Sequence, residues 1–163
     1  MNDHETTVIE ADLARGGHQA AILHLLSAYA MDPMGDGRPL SETARRDLIP
    51  GLQRHPTTMV FLAFRDAEPI GLAICFRGFS TFAARPLVNI HDFFVLPAHR
   101  GEGIGKRLLA AIEQRARDTG CCKLTLEVQE NNHLAKAVYA AAGFARMMYV
   151  AEAGGSLFFS KPL

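Results

Sequence analysis

Apolar residues recur along this chain with two distinct periods, and those periods divide it into helices and strands. Residues 6–10 read as a short first strand, and Gly16-Gly17 breaks the chain after it. Between residues 18 and 30, Ile22, Leu25, Leu26 and Tyr29 fall at helical spacing, so one face is apolar. Residues 31–40 hold two prolines and two glycines and read as a loop. Ser41 is a fitting N-cap for a second helix from residue 42 to about residue 49, which Pro50 is expected to end. Residues 57–65 and 70–77 read as two strands joined through 66–69 in a hairpin. Residues 78–86, with Phe79 and Phe82, read as a further loop.

The strand predicted over 88–95 alternates imperfectly. Strict alternation puts Asn89, His91, Phe93 and Val95 on one face and Val88, Ile90, Asp92 and Phe94 on the other. Polar residues on both faces of an apolar strand break the pattern, and such breaks mark functional sites. Residues 103–119 form the most regular helical stretch. Ile104, Leu108, Leu109, Ile112 and Ala116 make its buried stripe, and Gly120 is its stop. Residues 123–128 alternate as a strand, so strand, helix and strand predict a right-handed crossover between parallel strands. Asn131 or Asn132 caps a fourth helix closed by Gly143, and residues 145–150 and 156–160 flank Gly154-Gly155 as a closing hairpin.

Composition narrows the class. A chain of 163 residues, 48% apolar and 21% charged, is most simply one globular domain over 1–163. Its formal net charge of zero gives no support to nucleic-acid or membrane-surface binding. No apolar run approaches the roughly 18 residues of a membrane span. The start, Met1 to Glu5, lacks the basic-then-apolar order of a secretory signal. Cys75, Cys121 and Cys122 are odd in number and lack metal-ligand spacing, which fits a reducing cytoplasm. Cys121-Cys122 falls at a helix-to-strand turn with no base placed for it, so no cysteine acyl-enzyme is expected. His4, His18, His24, His55, His99 and His133 show no metal spacing either, and no metal is expected.

Candidate chemistry centres on residues 95–109. An apolar strand runs into Arg100-Gly101-Glu102-Gly103-Ile104-Gly105-Lys106, and this glycine-rich turn opens the 103–119 helix. Glycine tolerates positive φ and lets a ligand approach the backbone. The first amides of a helix have no intrahelical acceptor, and with the helix dipole they make an anion site whose usual occupant is a phosphate. Arg100, Lys106 and Arg107 add positive charge at the same place.

Arg100-x-x-Gly103-x-Gly105 resembles the acetyl-CoA loop of the GCN5-related N-acetyltransferases, Arg or Gln-x-x-Gly-x-Gly or Ala. Downstream, Asn132-x-x-Ala135-x-x-x-Tyr139-x-x-x-Gly143-Phe144 is similar to that family's second signature. The two motifs cover about residues 88–145, and the element order extends the resemblance over most of the chain. The resemblance implies an α+β, three-layer acyl-CoA N-acyltransferase fold: a mixed, mostly antiparallel sheet of about seven strands with about four helices. It implies that the fourth and fifth strands splay apart to admit acetyl-CoA. The expected cofactor contacts are Phe94, Val95, Arg100, Gly101, Gly103, Ile104, Gly105, Lys106, Asn132 and Tyr139. The family varies most around residues 31–49, where the acceptor is expected to be gripped.

The chemistry such a fold must perform is definite. An amine near pKa 10.4 is free base in only roughly one part in a few thousand at pH 7, so attack on a thioester needs a route for its proton. The developing oxyanion wants hydrogen-bond donors and the leaving thiolate wants a proton. The resemblance gives the donor to a backbone N–H near Phe94 or Val95, and the thiolate's proton to Tyr139. For the base it leaves His91, Asp92 and Glu127 open. Asp92-Phe93-Phe94-Val95 looks like the diamine acetyltransferase branch, in which an acidic pair precedes Phe-Phe-Val and its first acid is the proposed base; here His91 holds that first place. Two classes of function follow: acetyl-CoA-dependent N-acetylation of a primary amine, on a small molecule before a protein, or a non-catalytic acetyl-CoA-binding or sensing domain. Asp32, Asp36, Asp92 and Glu127 are acids that attract a cationic amine. A homodimer is common in such families, yet no residue pattern fixes one.

Overall fold

A computed structural model describes residues 5–163; the readings that fall on residues 1–4, His4 among them, lie outside the described residues. The described chain divides into two compact units, one ending at Leu126 and one spanning Glu127–Leu163.

The first unit runs β1 (Thr6–Glu10), α1 (Gly16–Met31), α2 (Glu42–Arg54), β2 (Thr58–Arg65), β3 (Glu68–Ser80), β4 (Arg85–Val95), α3 (Ile104–Asp118) and β5 (Leu124–Leu126). Its sheet has the order β1-β2-β3-β4-β5. The first four strands pair antiparallel, and β5 joins β4 in parallel, as the crossover through α3 requires. Helices cover both faces. Ile22 and Leu25 of α1 and Ile49 and Leu52 of α2 form one core with Val60, Leu62, Leu72, Ile74 and Phe94. On the opposite face Gly71 lets α3 approach: a Cβ there would stand 3.1 Å from Leu108 Cδ1 and 3.2 Å from Ile104 Cγ2.

The second unit holds α4 (His133–Ala141) and a 3₁₀ turn at Ala151–Ala153. The fold is therefore a mixed, mostly antiparallel sheet with four α-helices, but among the described residues it has five strands and not about seven. The missing two are the expected closing hairpin. Residues 145–150 and 156–160 alternate like strands, yet among the described residues a single backbone bond joins them, Ser156 N–H to the Met147 carbonyl at 3.2 Å. Met148, Tyr149, Phe158 and Phe159 stay exposed, so no buried face drives a ladder.

Smaller departures have local causes. Gly16 and Gly17 begin α1 instead of breaking the chain before it. Pro50 does not end α2, which continues to Arg54. The proline gives up one hydrogen bond on an exposed face, and burial of Leu52 a half-turn later holds the next turn in place. The expected loop over 78–86 shrinks to four residues, because Gly78, Phe79 and Ser80 continue the β3 ladder against Leu87, Pro86 and Arg85. At the far end of α1 the loop turns back tightly. Gly35 N–H donates to the Asp32 carbonyl at 2.8 Å. A Cβ on Gly35 would fall on the Tyr29 carbonyl oxygen, well inside contact distance. Gly35→Ala is therefore expected to destabilise the fold by about 1–3 kcal/mol in denaturant melts, the range for forced overpacking.

Candidate active site

The register of β4 breaks where its polar residues lie. Asp92 pairs with Ile74 and Ile90 with Cys75, so His91 is an extra residue with no partner on β3, a β-bulge. The bulge overturns the strict alternation expected for this strand. Asp92 and Phe94 sit across from Ile74 and Leu72, on the face covered by α1 and α2. Val88 and Ile90 sit across from Arg77 and Cys75, on the other face. His91 lies on the α1 and α2 side too, its ring edge-on to Phe76 at 5.5 Å. Two consecutive polar residues thus share one face. Burial pushes the Asp92 carboxyl above the usual carboxylate range, and the neighbouring His91 charge opposes the shift. The Tyr29 phenol of α1 is raised as well, by burial and then by the carboxylates of Asp92 and Asp32.

The same stretch has a free edge. β5 pairs only with Val88, Asn89 and Ile90, so within the first unit β4 has no ladder partner on that side from His91 onward. Backbone direction alternates along a strand. Leu96 N–H donates to the Ile70 carbonyl of β3 at 3.0 Å, which turns the peptide groups of Val95 the other way, toward the free edge. The Val95 carbonyl agrees, since it accepts from Arg100 Nε at 3.0 Å. Of the two oxyanion donors expected from the resemblance, Val95 faces the free edge and Phe94 faces β3.

Past β4 the chain makes a 3₁₀ turn at Pro97–His99 and then the glycine turn. Gly101 and Gly103 hold φ of 83° and 81°, and a Cβ on either would meet nothing within 4 Å. The α3 ladder begins with Arg107 N–H, which donates to the Gly103 carbonyl at 3.1 Å. The amides of Ile104, Gly105 and Lys106 precede it and have no intrahelical acceptor. Side chains flank the turn without filling it. Arg100 donates to Asp32 Oδ2 at 2.6 Å, and its guanidinium lies 5.5 Å from the Phe94 ring centre. Glu102 accepts from Arg65 and faces His99 at 3.6 Å; the Arg65 hydrogen bond holds its carboxyl below the usual range. Lys106 and Arg107 are both exposed, and Arg107 also donates to the Thr6 carbonyl at 2.9 Å. Of the expected cluster of positive charge, Arg100 is paired with Asp32, while Lys106 and Arg107 keep their charges at the surface.

In the second unit Asn132, of the two candidate caps, is the one used: its Oδ1 accepts from Ala135 N–H at 3.1 Å. At the far end Gly143 adopts φ 89°, Gly143 N–H donates to the Ala140 carbonyl, and Phe144 N–H donates to the Tyr139 carbonyl. This is a Schellman cap. It folds the Phe144 ring to 5.9 Å from that of Tyr139. The Tyr-x-x-x-Gly-Phe spacing thus fixes the tyrosine that it contains. Glu127 is exposed at the start of this unit.

His91, Asp92, Phe94, Val95, Arg100, Gly101, Gly103, Ile104, Gly105 and Lys106 all fall in the first unit, between the bulge and the first turn of α3; Glu127, Asn132 and Tyr139 fall in the second. No local pattern in the chain signals Tyr29 beside Asp92, the pairing of Asp32 with Arg100, or Arg65 under Glu102. Those partners are separated by tens of residues, beyond any local spacing rule.

The comparisons agree with the motifs. The model of the Acetyltransferase (GNAT) family matches residues 21–144. An uncharacterized N-acetyltransferase of Bacillus subtilis, YhfO, is 30% identical over 57% of this chain and 62% of its own. A thialysine N-epsilon-acetyltransferase of Bos taurus is 32% identical over 45% of this chain and 43% of its own. The chain thus spans less than two thirds of the length of these relatives. A crystal structure of a probable acetyltransferase superposes with a TM-score of 0.79 over 96% of this chain and 99% of its own, at 20% identity, and so shares the fold. The amides at the head of α3, the bulge in β4 and the family match over residues 21–144 lead to one conclusion: the chain belongs to the GNAT acetyltransferase family.

Proposed function

We propose that this protein transfers the acetyl group of acetyl-CoA to a primary amine of a small molecule by direct attack on the thioester. The observation that carries the reading is the β4 bulge. It turns His91 and Asp92 to one face, a few residues before the outward-facing amide of Val95 and the open turn at Gly101 and Gly103. The residues present fit the cofactor: bare amides and glycines without Cβ at a helix start suit a pyrophosphate. Ile104, Gly105 and Lys106 would hold it there with Gly101 and Gly103, and Asn132 would contact the pantetheine. Acetyl-CoA supplies the activated acyl group.

The chain's own groups supply the rest. Asp92, with a carboxyl that burial holds above its ordinary range, takes the ammonium proton, and His91, the adjacent residue on the same face, is the second candidate for that role. Glu127 remains a third candidate, acting through water. Val95 N–H donates to the carbonyl oxygen as charge develops on it. Tyr139 returns a proton to the sulfur. A small cationic acceptor is supported by the half-buried Asp92 beside Tyr29, and by the relative named for thialysine acetylation.

Purified protein is expected to release free thiol from acetyl-CoA in the presence of suitable amines, in a panel holding polyamines, amino acids, aminoglycosides and peptides. Binding of acetyl-CoA with no turnover across that panel would make the protein a binding or sensing domain. Tyr139→Phe is expected to lower turnover more than cofactor affinity; unchanged turnover removes Tyr139 from the mechanism. Asp92→Asn is expected to lower turnover on the order of 100-fold, the lower end for loss of a general base. Because the folded-state pKa of Asp92 is raised, folding is favoured at low pH, and that advantage is lost as pH rises through the folded value. The same Asn variant should therefore melt higher than the parent at pH 7 and no higher in acid. Equal melting at both pH values would contradict the buried-carboxylate account.

A further inference from the structure

The carboxylate of Asp32 belongs to no part of the chemistry above, yet its side chain is only 5% exposed and is tied on two sides. It sits where α1 ends. Its own N–H donates to the Tyr29 carbonyl at 3.0 Å, its Oδ1 accepts from Met34 N–H at 2.9 Å, and its Oδ2 accepts from Arg100 at 2.6 Å. Gly35, which tolerates no Cβ, presses this loop against the end of the helix. Arg100 in turn binds the Val95 carbonyl and lies over Phe94, and Phe94 stacks on Tyr29 with centroids 5.3 Å apart. The contacts close a ring: Tyr29, Phe94, Arg100, Asp32 and back through the α1 backbone. This ring joins the loop after α1 to the last residue of β4 and to the residue that starts the glycine turn.

We propose that Asp32 is a positioning residue: by holding Arg100 it sets the Val95 peptide and the glycine turn, and so couples the loop after α1 to cofactor binding. A planar guanidinium anchored by a carboxylate on one side and a carbonyl on the other has little rotational freedom. The residue that it belongs to is therefore fixed, and so is the direction in which the chain enters Gly101. Anything that moves the loop after α1, an acceptor included, moves Asp32 and is felt at the turn. The coupling to cofactor rests on the reading of the turn as the coenzyme A site; the positioning itself does not.

Two measurements test it. In ligand-free protein, Asp32→Asn keeps the bond to Met34 N–H while losing the charge. Amide hydrogen exchange is expected to quicken several-fold at Leu96, His99 and Arg100, the hydrogen-bonded amides that lead into the turn, in Asp32→Asn and in Arg100→Gln, with β2 and the rest of β3 unchanged. Exchange like that of the parent overturns the proposal, and so does a uniform quickening across the sheet, which would mean general destabilisation. In calorimetry with coenzyme A, each variant is expected to bind about tenfold more weakly, and the double variant no more weakly than the weaker single. Losses that multiply in the double variant overturn the coupling. If the parent itself fails to bind coenzyme A, the acetyl-CoA reading falls, and the exchange result alone decides on Asp32.

Discussion

Helix α3 begins with amides that have no acceptor within the helix, and the rest of the candidate site is arranged around that fact. The cause is local. Gly101 and Gly103 hold positive φ, and the helical ladder does not start until Arg107. A helix start left bare in water is ordinary. Here its flanking side chains are drawn away to either side, Arg100 to Asp32 and Glu102 to Arg65, so the amides face outward with no Cβ above the two positive-φ glycines. A turn of this shape suits an anion, which is the basis of the proposed coenzyme A site.

The strand that leads into the turn follows a related logic. A ladder bonded on both edges leaves no peptide group for chemistry. β5 stops pairing at Ile90, and the next residue, His91, is the bulge. One unpaired residue and one short partner strand together leave a β4 edge with no ladder partner within the first unit and bring two titratable side chains to the same face. The burial that lifts the Asp92 carboxyl works against folding at neutral pH, the kind of local conflict expected where function and stability compete.

Much of this was legible in the chain. Among the described residues the periodicity located the four helices and the five strands, most clearly where one face is buried, as in α3 with Ile104, Leu108, Leu109, Ile112 and Ala116. Gly120 and Gly143 were readable as helix stops because a Schellman cap needs a residue at positive φ. The bulge was visible only as a fault in alternation at Asn89, His91 and Asp92; the fault pointed to the place of the bulge, but strict alternation then assigned the wrong faces. The hairpin expected after residue 145 failed for the opposite reason: strand-like residues were present without a buried face to pair them. The contacts of Asp32, Tyr29 and Arg65 left no trace, since they arise from how α1 and β2 lie against the end of β4.

Backbone amide shifts recorded while coenzyme A is titrated into the protein decide whether the glycine turn holds an anion, with pantetheine, which lacks the pyrophosphate, as the companion ligand. The amides of residues 101–106 are expected to move most with coenzyme A and to stay still with pantetheine. Shifts of equal size with both ligands, or none in that turn, would contradict the proposed coenzyme A site.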